Sequence, residues 1–369
     1  MKISIIEDAK IIISNPDSKH CYFAWPTVAR LKNGRIAVAA SGYRTAHVDP
    51  FGKAVMSVSE DGGKTYSRPA PIIDTPLDDR DSGIVPFGES GLVLTSFGLS
   101  PEYLRDWYSR YSPSYTQVDK NYVLSYLDNI TDGDVEKYLG ATYRISYDNG
   151  VTFGPIMKSP VTTPHGPTLL PSGNMIWVGC LHSAEVNNDP ETEHERIRAY
   201  TLSTEDGRME EIGRIVFEKN SGLLPCEVHT LALDDNRLIA HIRSDSKFNI
   251  YQSESSDGGK TWSAPHALNE ENGGAPSFLF RHSSGAIIAL YGYRELPYGI
   301  KAMFSFDEGK SWDVGHTVYE SPITDDIGWD IGYPSCIELD DGSLLTVFYS
   351  HTGPNTPAVI MQNRLKFEP

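Results

Sequence analysis

Apolar and polar residues alternate along most of this chain in short segments, each of which ends at a polar turn. Two such segments around a Gly or Asx turn are typical of a β-hairpin with one buried face. The hairpin pattern, often opened by Pro-Ser or Pro-Thr, occurs six times, starting near Pro26, Asp81, Pro167, Val228, Pro276 and Pro334. The sequence therefore predicts an all-β protein built from six similar units.

A second pattern, Ser-x-Asp-x-Gly-x-Thr/Ser-aromatic, follows four of the hairpins. Full copies occupy residues 59–66, 146–153, 255–262 and 305–312, and a degenerate copy lies at 203–207. Repeats of short strands at irregular multiples of roughly 50 residues are typical of propellers. We therefore predict a six-bladed β-propeller of four-stranded antiparallel blades, with residues 3–13 helping to close the ring. Each repeated Asp is expected to hold a turn, because Asp bonds nearby amides and Gly accepts a positive φ.

The blade pattern runs through the whole chain, which predicts a single propeller domain over residues 1–369. A tyrosine-rich segment at about 99–139 interrupts blade two. Long insertions in compact domains are often functional. This one is interpreted either as a surface elaboration or as a flap that lines a substrate site.

The chain has 32 basic and 49 acidic residues and a net charge of −17. This balance argues against a nucleic-acid partner, because phosphates require a basic surface. An anionic substrate would need a local cluster of arginines. The four cysteines lack metal-like spacing, and we expect neither a metal nor another cofactor. No signal peptide or membrane-spanning run is evident, so a cytoplasmic protein without membrane contact is expected.

Propeller geometry brings the starts of the inner strands and the ends of the second strands to one face of the ring. The sequence concentrates polar and aromatic residues at these positions. The strand starts carry Trp25, Arg80, Asp81, His165, Glu227 and Tyr333, and the strand ends carry Arg44, His47, Asp49, His182, Arg243, Arg294 and His351. Such a concentration around a central depression predicts a binding or catalytic site.

The hairpins and boxes resemble those of the sialidases (neuraminidases) and their relatives in the BNR, or Asp-box, superfamily, which are six-bladed propellers. The resemblance covers essentially the whole chain. In sialidases a Glu in blade four precedes an Arg, as Glu227 precedes Arg243 by sixteen residues here. A second Arg before the last box matches Arg294, and a Gly-Tyr motif matches Tyr333. The loop ahead of the first box contains Asp49.

The resemblance implies a retaining, exo-α-sialidase-like glycoside hydrolase that acts on an acidic glycan. Tyr333 would be the nucleophile, Glu227 its base, and Asp49 the acid and base at the glycosidic oxygen. A neutral phenol suits a substrate with a carboxylate on its anomeric carbon, because an anionic nucleophile would be repelled. Arginines would bind the acidic group and Asp81 would line the pocket.

The chain departs from the sialidase motif Phe-Arg-Ile-Pro, whose Arg is one of three that bind the substrate carboxylate. The motif here is Phe23-Ala24-Trp25-Pro26, and Ala24 cannot make that contact. Arg44 and Arg80 are the neighbouring arginines that could replace it. The substrate is therefore expected to be sialic acid or a related acidic sugar.

Two alternatives stay open. His47 and His165 map to the same face, and imidazole is the natural acid and base near neutral pH. They would suit a lyase or hydrolase that acts on uronic-acid oligosaccharides. Trp25, the arginines and the tyrosine-rich insertion would also suit a carbohydrate-binding propeller without catalytic activity.

Overall fold

The computed structural model describes residues 2–110, 116–182, 193–245, 249–271, 274–325 and 327–368. These residues form six antiparallel sheets that pack side by side as the blades of a ring. The six-bladed β-propeller predicted from the repeats is therefore confirmed. Residues 111–115 of the predicted insertion lie outside the described residues.

The first three blades follow the chain from the N-terminus, after the opening strand β1 (Lys2–Ile13). Blade one contains β2 (Tyr22–Arg30), β3 (Ile36–Arg44), β4 (Lys53–Ser59) and β5 (Ala70–Ile73). Blade two has a broken inner strand, with β6 (Asp78–Arg80), β7 (Ile84–Phe87), β8 (Gly91–Leu99), β9 (Gly140–Ser146) and β10 (Met157–Ser159). Blade three is broken in the same way, with β11 (Val161–Thr162), β12 (Thr168–Leu169), β13 (Met175–Leu181), β14 (Ile197–Leu202) and β15 (Met209–Ile215).

The last three blades are more regular. Blade four contains β16 (Pro225–Ala232), β17 (Leu238–Ser244), β18 (Asn249–Ser255) and β19 (His266–Glu271). Blade five contains β20 (Ser277–Arg281), β21 (Ile287–Tyr293), β22 (Gly299–Ser305) and β23 (Asp313–Glu320). Blade six contains β24 (Gly332–Glu338), β25 (Ser343–Ser350) and β26 (Val359–Glu368), and β1 completes it.

The N-terminal strand closes the ring. β1 pairs antiparallel with β26, so that Ile3 lies opposite Phe367 and Ile11 opposite Met361. One blade is thus made from both ends of the chain, as predicted for residues 3–13. This arrangement ties the first and last blades together without leaving β26 as a bare edge.

Apolar side chains from facing sheets fill the space between blades. Val38 and Val55 of blade one pack with Leu345 and Val347 of blade six, and each is no more than 1% exposed. Burial of one such side chain stabilises the fold by about 1.5–3 kcal/mol. The middle strands are covered on both faces, which explains why their sequences are almost continuously apolar.

The repeated Asp boxes form the turns between third and fourth strands. In the first box the Asp61 carboxylate accepts hydrogen bonds from Lys64 N at 3.1 Å and from Thr65 N at 2.9 Å. Gly63 has φ +85°, and a Cβ there would lie 2.4 Å from Leu345 of the neighbouring blade. The boxes are therefore turns spread around the ring, not parts of one catalytic site.

The insertion between β8 and β9 is helical, with α1 (Pro101–Arg110), α2 (Gln117–Leu127) and α3 (Asp132–Tyr138). Leu104 and Tyr108 of α1 pack on Val48 and Phe51, which belong to the loop between β3 and β4. The insertion consequently covers that loop at the face where the strand starts converge. None of the described helices has the length and apolar character needed to cross a bilayer.

Candidate active site

Three residues at the starts of inner strands have a left-handed backbone, which is costly for any residue except glycine. Trp25, Asp81 and Tyr333 have φ values of 55°, 40° and 49°. β2 and β24 carry register shifts beside two of them. Such conformations cost about 1–3 kcal/mol each and persist only where the surrounding structure imposes them. All three side chains line the same pocket.

The pocket has a volume of about 330 Å³, within the range of small-ligand sites. Both aromatic rings and charged groups line it. Its lining is Trp25, His47, Val48, Arg80, Asp81, Phe97, Leu99, Tyr103, Trp107, Glu227, Arg243, Asp245, Arg294, Trp329 and Tyr333. The structure thus brings together seven of the ten residues predicted as catalytic or substrate-binding.

Tyr333, Glu227 and Arg243 form one hydrogen-bonded group. The Tyr333 hydroxyl donates to Glu227 Oε1, and Arg243 Nη1 donates to Glu227 Oε2 at 2.5 Å and to the Tyr333 oxygen at 3.2 Å. Burial and the negative charge of Glu227 raise the pKa of Tyr333 well above 10. The phenol is therefore neutral at rest, with a carboxylate placed to take its proton and a guanidinium placed to stabilise the phenolate.

Three guanidinium groups line the pocket although the chain as a whole is acidic. Arg243 also bonds Asp245 at 2.7 Å. Arg294 donates to Ile331 O and to the Tyr349 hydroxyl, both at 3.1 Å. The third is Arg80. Fixed guanidinium groups of this kind suit a carboxylate, which accepts two parallel hydrogen bonds from each.

The indole of Trp25 holds the guanidinium of Arg80 by stacking. The guanidinium of Arg80 lies 4.0 Å from the centre of the indole, and that of Arg44 lies 4.9 Å from it. Arg80 Nη1 also donates to His47 O at 2.9 Å. Ala24, which replaces the first arginine of the sialidase motif, is fully buried. Arg80 from blade two is therefore the arginine that reaches the pocket near this position.

Asp81 is the most enclosed carboxyl group in the pocket wall, with 4% exposure. Burial, followed by the nearby charge of Glu227, raises its pKa to about 7. Since Arg243 and Arg80 only partly offset these effects, a large fraction of Asp81 is protonated at neutral pH. It can donate a hydrogen bond to a ligand as well as accept one.

His47 lines the pocket and is held by a carboxylate behind it. His47 Nδ1 lies 2.8 Å from Asp330 Oδ1, and its side chain is 30% exposed. Asp330 also accepts hydrogen bonds from the Tyr22 hydroxyl at 2.8 Å and from the Tyr349 hydroxyl at 3.0 Å. Because Asp330 takes the Nδ1 proton, the lone pair of the neutral ring is on Nε2.

His351 completes this buried network on the side away from the pocket. Its Nε2 lies 3.0 Å from Asp330 Oδ2, and its Nδ1 lies 2.5 Å from Thr356 O. Both ring nitrogens face acceptors, so both carry protons. Although burial opposes it, the bond to Asp330 raises the pKa of His351. Burial lowers the pKa of His47, although Asp330 partly offsets this.

The structure does not bring Asp49 or Arg44 to the pocket, contrary to expectation. Both side chains are fully buried, with Asp49 Oδ1 3.8 Å from Arg44 Nη2. The Asp49 carboxylate accepts hydrogen bonds from Thr45 N, Ala46 N and Phe51 N. Arg44 donates to His47 O and is paired with Asp78. Asp49, the predicted acid, therefore stabilises the loop between β3 and β4 through its hydrogen bonds.

His165 also lies outside the pocket lining. It is 2% exposed, and its Nδ1 is 3.0 Å from Thr27 Oγ1. Burial lowers its pKa to about 3, so the ring is neutral. Its ring centre is 6.5 Å from that of Tyr333, which makes it a packing neighbour of the nucleophile candidate.

The family profile of the BNR repeat-like domain matches residues 130–346, more than half of the chain. This chain belongs to that family. No curated protein sequence shows significant similarity to it. Among the residues that the structure describes, no group of three His, Cys, Asp or Glu side chains could hold a metal ion.

Solved structures that share the fold of this BNR protein include two sialidases. A protein of unknown function from Dyadobacter fermentans is 20% identical over 99% of both chains, with a TM-score of 0.74. The NanB sialidase of Streptococcus pneumoniae is 14% identical, with a TM-score of 0.67 over 97% of this chain and 70% of that one. The intramolecular trans-sialidase of Ruminococcus gnavus is 14% identical, with a TM-score of 0.67 over 99% and 100%. The predicted membership of the BNR superfamily is confirmed by the family profile, and the sialidases share its fold.

Sequence reasoning missed Asp330, Trp329 and Asp245 of this BNR protein. Asp330 precedes the Gly-Tyr motif by only two residues, so its distance from that motif was the available signal. Tyr103 and Trp107 line the pocket from α1. This helix of the insertion therefore forms part of the pocket wall, and its role towards a substrate stays a prediction.

Proposed function

We propose that this protein is a retaining glycosidase that removes a terminal acidic sugar, with Tyr333 as the nucleophile. The hydrogen-bonded group of Tyr333, Glu227 and Arg243 is the observation that carries the proposal. A carbohydrate-binding site does not need a buried phenol whose proton is already directed at a carboxylate.

The attack begins at this group. The Tyr333 oxygen bonds to the anomeric carbon as its proton passes to Glu227 Oε1. Arg243 contacts both partners and lowers the cost of the charge that develops on the phenol oxygen. The second half of the reaction reverses these transfers, so that water releases the sugar with its original anomeric configuration.

The charge of the pocket supports an acidic substrate. Arg80, Arg243 and Arg294 face it, whereas Glu227 is engaged by Tyr333, Asp245 is paired with Arg243, and the pKa of Asp81 is raised to about 7. Fixed guanidinium groups favour a bound carboxylate. Two proteins that share this fold are named as a sialidase and a trans-sialidase, which supports the proposal. Because Ala24 and Trp25 stand where the sialidase motif has Arg and Ile, the proposed substrate is either sialic acid or another acidic sugar.

Hydrolysis of fluorogenic glycosides tests the proposal. Wild-type protein is assayed on α-sialosides and on uronosides of both anomers, beside Tyr333→Phe and the exposed control Tyr147→Phe. We expect turnover that falls on the order of 10³-fold or more in Tyr333→Phe and is unchanged in the control. A fluorinated substrate analogue should leave the sugar attached to Tyr333, detected by mass spectrometry of the peptide. Full turnover by Tyr333→Phe would refute the role of the phenol.

A uronate lyase is the second candidate, and the position of His47 favours it. A neutral imidazole facing the pocket could remove a proton beside a carboxylate that the arginines bind. Unsaturated uronate products absorb in the ultraviolet, whereas hydrolysis products do not. An increase in ultraviolet absorbance with uronic-acid oligosaccharides, without release of the fluorophore from fluorogenic glycosides, would therefore indicate a lyase.

A further inference from the structure

We infer that His47, oriented by Asp330, carries the proton to and from the glycosidic oxygen. It takes the part that the sialidase resemblance gives to Asp49. The inference rests on the proposed glycosidase function and adds a catalytic residue to it. Tyr333, Glu227 and the arginines keep the roles already described.

The loop between β3 and β4 decides which side chain reaches the substrate. Asp49 is 0% exposed and its carboxylate is occupied by main-chain amides and the hydroxyl of Thr45 within the loop. A proton donor has to come within about 2.6–3.2 Å of the oxygen it serves. Asp49 cannot do so without dismantling the loop, whereas His47 already lines the pocket.

The surroundings of His47 hold it in one orientation. Its ring packs edge-on against Trp25, with 5.1 Å between ring centres, and lies 5.5 Å from the ring of Trp329. Asp330 bonds Nδ1, which leaves Nε2 on the ring edge that is not bound to the carboxylate. A fixed imidazole with one nitrogen bonded to a carboxylate is suited to transfer protons at the other.

The charge on Asp330 does not lock His47 in its protonated form. Asp330 is already paired with His351, whose two ring nitrogens both face acceptors. The charged and titratable groups that face His47 are Asp330, Arg80, Arg294 and Tyr22. Two of them are cationic and oppose protonation of the ring. His47 can therefore both give and take a proton, as a retaining mechanism requires.

The proton transfers balance in two steps. In the first, Tyr333 attacks the anomeric carbon, the bond to the leaving oxygen breaks, and protonated His47 gives its Nε2 proton to that oxygen. Glu227 meanwhile holds the proton from Tyr333. In the second, His47 removes a proton from water, the water oxygen bonds to the anomeric carbon, and Tyr333 leaves and recovers its proton from Glu227.

Asp81 is the other proton donor in the pocket, but it lies on the side of the nucleophile. After burial, the charge of Glu227 has the largest effect on the pKa of Asp81, and Asp81 in turn raises the pKa of Tyr333. The acid that serves the leaving oxygen has to approach the anomeric carbon from another direction than the nucleophile. We therefore assign Asp81 to a hydroxyl of the bound sugar.

Leaving-group dependence tests the assignment. Each variant is assayed on a pair of glycosides, one with a sugar or alkyl leaving group and one with a dinitrophenyl group that needs no proton. For His47→Ala and His47→Gln, kcat/KM should fall about 10²-fold or more on the first substrate and less than tenfold on the second. Azide should restore turnover of the second substrate and form a glycosyl azide, because azide needs no base.

The variant Asp330→Asn tests whether Asp330 acts by positioning His47 and favouring its protonated form. Loss of the carboxylate removes the group that favours protonated His47, so the alkaline limb of kcat/KM should move to lower pH. His351→Gln is the matched control, since it removes an equivalent bond to Asp330 on the side away from the pocket. Any loss in this control should be the same for both leaving groups. Thermal unfolding of each variant excludes misfolding.

The outcomes distinguish this inference from the proposed function. If wild-type turnover is absent, or survives in Tyr333→Phe, the proposed function fails and this inference fails with it. If turnover depends on Tyr333 but both His47 variants lose the two substrates equally, only the inference is overturned. A selective loss in Asp81→Asn instead of the His47 variants would also overturn it. If neither His47 variant folds, the pH dependence of wild-type kcat/KM provides the test. An alkaline limb that is the same for both leaving groups would overturn the inference.

Discussion

Removal of the Asp49 carboxylate should weaken the fold. In Asp49→Ala, the donors Thr45 N, Ala46 N and Phe51 N lose their shared acceptor and Arg44 loses one of its two buried carboxylate neighbours. Breaking a buried pair by removing one partner typically costs about 3–5 kcal/mol. The remaining bond from Arg44 to Asp78 keeps the expected loss at the lower end of this range.

Urea unfolding followed by tryptophan fluorescence measures this loss. The matched control is Asp340→Ala, because Asp340 is 86% exposed and paired with the surface residue Arg30. Removing such a pair should change the unfolding free energy by less than about 1 kcal/mol. An Asp49→Ala protein as stable as the control would refute the structural role. It would return Asp49 to consideration as the acid that the sialidase resemblance indicates.

Three further predictions concern the pocket and the turns. Arg80→Met should raise KM for an acidic substrate about 10–100-fold, as expected for a lost charged hydrogen bond, and leave KM for a neutral analogue within about twofold; equal changes would contradict a carboxylate-binding role. Because burial holds the pKa of His47 below 6.5, kcat/KM for a poor leaving group should decline as pH rises through that pKa, and the His47→Gln profile should lack this limb. Hydrogen bonds lower the pKa of the box carboxylates Asp148, Asp257 and Asp307 to about 2, so the stability that these ionised groups contribute is present above pH 4 and lost as pH falls. The melting temperature of the wild type should therefore drop between about pH 4 and 2, and a variant with Asn at all three positions should lack this drop.

The sequence predicted the fold because the repeats express it in local patterns. Each hairpin carries its own alternation and turn residues, and each box supplies its own turn. Closure by β1 followed from the need to cover an edge strand. The same reasoning placed Glu227, Arg243 and Tyr333 together, because the inner-strand starts and second-strand ends of all blades meet at one face of the ring.

The remaining parts of the site depend on side-chain direction within a loop. His47 and Asp49 are two residues apart, and the spacing of a family motif allows either to face the substrate. Only the hydrogen bonds of the Asp49 carboxylate to the amides of its own loop decide the matter. Asp330 was missed for a related reason, since its role appears only when His47 from blade one is placed beside it.

Under the proposed function, the exchange of the first motif arginine for Ala24 and Trp25 rearranges the carboxylate site and is not a simple loss. Ala24 removes one guanidinium, but Trp25 supplies the surface on which Arg80 is stacked from the next blade. The same ring packs against His47. One indole therefore positions both an anion-binding group and the inferred proton donor. A substrate carboxylate bound by Arg80 approaches from blade two instead of blade one, which is a physical reason to expect an acidic sugar of different shape from sialic acid.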